Sequence, residues 1–62
     1  MMLDIEILLY MGGEGNQWLT YKDISKYTFT DEFLILERGT FLQGLILTHI
    51  PKEQILLMEV FK

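Results

Sequence analysis

Phe33-Leu34-Ile35-Leu36-Glu37-Arg38-Gly39-Thr40-Phe41-Leu42-Gln43-Gly44-Leu45-Ile46-Leu47 holds two apolar runs separated by a polar break that contains glycine. Short apolar runs around such a break are the pattern of two strands joined by a hairpin, here with its turn expected at residues 37–40. In the first run Phe33 and Ile35 share one face and Leu34 and Leu36 the other. Both faces are apolar, so this strand should be covered on both sides or lie inside a barrel. After the break, Phe41, Gln43, Leu45 and Leu47 share one side, and Leu42, Gly44, Ile46 and Thr48 the other. Gly44 inside a strand points to a bulge or a sharp bend.

Upstream, residues 2–11 place Leu3, Ile5, Ile7 and Leu9 in strict alternation with Asp4, Glu6, Leu8 and Tyr10, a period of two that fits a strand and not a helix. Gly12-Gly13-Glu14-Gly15-Asn16 then permits positive φ and a tight reversal. Gly13-Glu14-Gly15 matches the start of a dinucleotide-binding fingerprint. However, Trp18 stands where its third glycine would be, Glu14 repels phosphate and no helix pattern follows, so this is read as a connecting loop. Residues 17–21 form a short strand. Residues 20–26 read either as a helical turn, with Thr20 and Asp23 in a weak capping arrangement, or as a polar loop. Residues 25–30 alternate Tyr27 and Phe29 with Lys26, Thr28 and Thr30, a strand pattern. Thr30-Asp31-Glu32 is a turn.

Downstream, His49-Ile50-Pro51 ends the strand that began after the hairpin, and Pro51 suits the first position of a single helical turn. As a helix, residues 55–61 would be apolar over nearly the whole circumference. As a strand they set Ile55, Leu57, Glu59 and Phe61 against Leu56, Met58 and Val60, and strand is favoured.

These elements predict one small all-β domain over residues 1–62, with five to six strands and one short helical turn. The expected architecture is a small barrel or a strongly bent antiparallel sheet. Size and strand rhythm resemble SH3-like and Sm-like barrels at the level of architecture, which carries little functional information.

With 62 residues, half of them apolar, the chain has more apolar surface than a body this small readily buries. There is no cysteine to staple it, which agrees with a cytoplasmic location. No basic leader or apolar run of membrane-spanning length is present, so no membrane partner is expected. Nine acidic residues against five basic ones give a net charge of −4. That balance disfavours nucleic acid, whose binding rests on a basic footprint, and favours a basic protein partner.

Catalysis has little to build on. The single serine and the single histidine, Ser25 and His49, lie on separate segments with no nucleophile-elbow motif. No ligand spacing links His49 to carboxylates for a metal. No catalytic, metal or cofactor site is expected. The remaining class is protein interaction: a homo-oligomer, with Asp4, Glu6, Glu14, Asp31 and Glu32 as an acidic surface that engages a larger partner as regulator or inhibitor. The competing class is a barrel that binds single-stranded nucleic acid or a small ligand on an aromatic platform of Trp18, Tyr21 and Tyr27 beside Lys22 and Lys26.

Overall fold

The computed structural model describes residues 2–62. Six strands follow one another as β1 (Leu3–Tyr10), β2 (Asn16–Ile24), β3 (Lys26–Phe29), β4 (Phe33–Thr40), β5 (Gly44–Pro51) and β6 (Ile55–Phe61). They form two three-stranded antiparallel sheets, with strand orders β2-β1-β6 and β3-β4-β5. The fold is all-β, as the alternation implies. The barrel alternative is corrected: the strands divide into two separate ladders and do not close. Chain passage between the sheets takes a single residue, Ser25, after β2, and one 3-10 turn (Lys52–Gln54) after β5.

Each sheet has an apolar strand at its centre, and the two centres meet. Ile5, Ile7 and Leu9 of β1 pack with Ile24, Leu34, Leu36 and Ile50 into one buried cluster. The alternation in residues 2–11 thus delivers its odd positions to the core, while Leu34 and Leu36 supply the second sheet's share. Leu3, Leu19, Tyr21, Ile55 and Met58 pack partly buried around this cluster. The molecule is long for its mass, measuring 38 × 22 × 18 Å with a radius of gyration of 12.1 Å. A compact chain of this length has a radius near 10.6 Å.

The glycine-rich loop closes as expected, through a 3-10 turn (Gly12–Glu14). Gly12 and Gly15 sit at φ 68° and 87°, and the Met11 amide donates to the Gly15 carbonyl at 2.9 Å. The segment read as a helical turn or polar loop around residues 20–26 is instead the far end of β2. It stays paired with β1 but carries a bulge, because the register slips between Leu3 and Ile5. Asp23 absorbs the slip at φ 59°, a left-handed conformation that aspartate tolerates better than most residues. Its amide donates to Asp4 Oδ1 at 3.4 Å.

The hairpin exists, but its turn is not at residues 37–40. Those residues complete β4, and the loop is Phe41-Leu42-Gln43, with Thr40 opposite Gly44. Two local causes fix it. Gly44 takes φ 76° to reverse the chain, and Thr40 Oγ1 accepts from the Gln43 amide at 2.9 Å while donating to the Gly44 carbonyl at 3.2 Å. Gly44 therefore closes the turn and does not bend a strand interior. The turn before β4 is held by Thr30, whose amide donates to the Phe33 carbonyl at 2.8 Å and whose hydroxyl accepts from the Phe33 amide at 3.0 Å. Lys52 locks the same corner: its Nζ donates to the Thr30 carbonyl at 3.0 Å and lies 5.8 Å from the Phe29 ring centre.

Candidate functional site: the solvent face of the first sheet

Inward-pointing residues of β1 alternate with Asp4, Glu6, Leu8 and Tyr10, so these must face away from the core. Pairing brings their neighbours into rows. Leu8 lies between Trp18 of β2 and Leu57 of β6, and Glu6 lies between Thr20 and Glu59. Asp4 is opposite Phe61, and Tyr10 opposite Asn16. Trp18 is 48% exposed, Leu57 50% and Phe61 47%. The result is an apolar band across three strands, with an acidic row beside it. Glu6 and Glu59 are direct cross-strand partners of like charge, an arrangement that costs stability.

The five acidic residues singled out from sequence do not form one surface. Asp4 and Glu6 share this face. Glu14 lies in the 3-10 turn after β1, and Asp31 and Glu32 lie in the turn before β4, in the other sheet. Asp31, Glu32 and Glu53 line a shallow groove of about 410 Å³ together with Phe33, Pro51 and Lys52. Glu59 belongs to the acidic face and was not foreseen. Its place depends on β6 returning to pair with β1 across the length of the chain, which local patterning does not reveal.

Nor do Trp18, Tyr21, Lys22, Lys26 and Tyr27 make one platform. Trp18 pairs with outward Leu8 and Tyr21 with inward Ile5, so they occupy opposite faces of β2. Tyr21 packs against the core, and that burial pushes its hydroxyl above the ordinary 10.0. Tyr27 lies on β3, 6.3 Å from Phe29 between ring centres. Lys26 reaches Glu37 at 4.0 Å. Lys22 lines a different groove, of about 230 Å³, with Tyr21, Arg38, Ile46 and Thr48.

Ser25 and His49 are each engaged structurally. Ser25 Oγ donates to the Glu37 carbonyl at 3.0 Å, and His49 sits edge-on to Phe33 with centroids 5.7 Å apart. Among the described residues no three His, Asp or Glu side chains converge as a metal site would require, and no helix is long and apolar enough to cross a membrane.

Fold and surface together define a small two-sheet all-β protein whose distinctive chemistry lies on open faces and edges. Comparison with protein-family models, curated proteins and solved structures finds no match to this chain.

Proposed function

We propose that this chain is a non-enzymatic protein-interaction module that self-associates and, through the solvent face of its first sheet, occupies a basic-rimmed apolar surface on a larger partner as its regulator or inhibitor. The observation that carries this reading is the apolar row Trp18–Leu8–Leu57, exposed at Trp18 and Leu57 and half-buried at Leu8, beside Glu6, Glu59 and Asp4. Contiguous exposed apolar surface with a polar rim is the usual mark of an interaction site. Tryptophan is enriched at the energetic centres of interfaces, and surrounding charge steers the encounter. Like-charged Glu6 and Glu59 would gain from a cation brought by a partner.

Self-association rests on the disproportion between core and surface. Among the described residues seven are buried, whereas fourteen large hydrophobic residues are exposed. The accessible area, 4642 Å², exceeds the roughly 4200 Å² expected of a folded monomer of this mass.

The test is a pull-down from the native host's lysate with the purified protein and its W18A/E6K/E59K variant. The expected result is a stoichiometric protein partner that survives nuclease treatment and is lost with the variant. Equal recovery on the variant, or nuclease-sensitive recovery of nucleic acid, would overturn the reading.

A further inference from the structure

Four strands lie at sheet edges, and three of them are guarded against pairing with another chain. β3 has only four residues and includes Lys26. β2 is broken by its bulge and carries Lys22 and Asp23 there. β6 has a register break beside Leu57 and carries Glu59. Short length, bulges and charges are the usual protections of an edge. β5, Gly44-Leu45-Ile46-Leu47-Thr48-His49-Ile50-Pro51, holds no Asp, Glu, Lys or Arg and pairs with β4 without a break.

The direction of its free hydrogen-bonding groups follows from the ladder. The Phe33 and Glu37 carbonyls accept from Thr30 and Ser25, on the β3 side. The Lys52 amide donates to the Glu32 carbonyl, continuing the β4–β5 register by one pair. Odd-numbered residues of β4 therefore point to β3 and even-numbered ones to β5, since antiparallel partners alternate between bonded and non-bonded pairs. With Leu34 opposite Ile50 and Leu36 opposite Thr48, the even-numbered residues of β5 are used. The amides of Leu45, Leu47 and His49 face outward along the open edge.

We propose that β5 pairs antiparallel with β5 of a second copy, around a two-fold axis at Leu47, to make a continuous six-stranded sheet. This assignment rests on the self-association reading above and names its surface. Leu47 then faces Leu47, and Leu45 faces His49, in each direction. This is the antiparallel register that engages all three outward amides. Pro51 has no amide, so shifting the pairing toward it loses donors. Two chains of net charge −4 repel, and β5, with no Asp, Glu, Lys or Arg, lets them meet without adding an acid to the strand pair.

A second feature fits the same register. The hairpin tip, Phe41 and Leu42, is 103% and 92% exposed and packs on nothing in its own chain. Continuing the register sets Phe41 to Gln43 of one copy alongside Pro51 to Glu53 of the other. Pro51, Lys52 and Glu53 also line the groove that contains Phe33. The tip of each copy covers the groove of its mate, so the contact is reciprocal, as a two-fold interface requires.

The experiment is native mass spectrometry and sedimentation of the wild-type chain, L47K and F41A/L42A, with oxidation of L47C. All altered residues are exposed, so circular dichroism should show the monomer fold intact. A dimer is expected for the wild type, with a dissociation constant raised at least tenfold in F41A/L42A and a hundredfold in L47K. L47C should form a disulfide-linked dimer. Bonded antiparallel partners sit about 5.5 Å apart between Cα atoms, within disulfide reach, and the chain has no other cysteine. A dimer unaffected by L47K, with L47C uncrosslinked, would overturn the β5 assignment while leaving self-association standing. A wild-type monomer throughout the micromolar range would overturn both.

Discussion

The two sheets are alike at the centre and differ at the margin. β1 and β4 each send alternate aliphatic side chains into one shared cluster. In the first sheet, surplus apolar residues spread over a face, Trp18, Leu8 and Leu57, while both edges carry charges and a register break. In the second sheet, Leu45, Leu47, Phe41 and Leu42 line one edge and its tip, while Tyr27 and Phe29 are exposed on the short edge strand opposite. A face offers side chains only, so what it recognises depends on the partner's own shape and charge. An edge also offers backbone groups, which suit another strand of any chain, including a copy of itself. On the proposed reading, that difference gives the heterologous partner to the first sheet and the second copy to the second.

The largest effect should come from breaking what the sheets share. Ile7→Ala in the first sheet and Leu36→Ala in the second each leave a cavity in the same cluster, costing about 2–5 kcal/mol. A chain of 62 residues has roughly 3–9 kcal/mol to lose. Both variants should lose a large part of that margin by urea titration, with single coincident transitions. Separate transitions for the two sheets would show that each holds its own structure.

A smaller effect is expected at the hairpin. Gly44→Ala meets no atom within 4 Å, so its cost comes from the backbone alone, at φ 76°. The loss should be about 1–2 kcal/mol in chemical denaturation. Because the change distorts the start of β5, it should also weaken self-association, leaving partner capture by the first sheet intact.

Glu59→Lys sharpens the comparison from the other side. Replacing a like-charge cross-strand pair by Glu6 and a lysine should stabilise the isolated protein by about 0.2–1 kcal/mol, less at high salt. The same change should reduce capture of the partner. Greater stability with undiminished capture would remove the acidic row from the interface.

The smallest effect concerns pH. Burial raises the Tyr21 hydroxyl above 10.0 in the folded state, so on alkaline titration the unfolded chain loses this proton first. Stability attributable to the neutral Tyr21 is therefore fully present below pH 10 and declines as pH rises from there through the folded value. Tyr21→Phe should flatten that alkaline decline in denaturant titrations at successive pH values. An unchanged slope would assign the decline to other groups.

Much of the scaffold was legible because alternation is a local property. Leu3 to Leu9, Tyr27 with Phe29, and the apolar runs around residues 33–47 each announce a strand by themselves. The hairpin turn lies beyond residues 37–40 because polarity does not mark the reversal in this chain. Glu37 and Arg38 are polar yet remain in the ladder, while the apolar Phe41 and Leu42 form the loop. The core pairings Leu34 with Ile50 and Leu36 with Thr48 set the register, and Gly44 and Thr40 reverse the chain where that register demands. The second half of β2 was missed for a related reason: Lys22 and Asp23 read as loop, but a bulge accommodates them in the sheet. Candidate surfaces were less legible still. Which of Trp18 and Tyr21 faces solvent, and that Glu59 joins Glu6, depend on pairings between distant segments.

Hydrogen exchange followed residue by residue, from dilute to concentrated protein, measures the contrast between edge and face most directly. The expected result is concentration-dependent protection of the Leu45, Leu47 and His49 amides, with the outer amides of β2 and β6 exchanging at the same rate throughout. Unprotected β5 amides at every concentration, or protection arising on β2 or β6 instead, would contradict it.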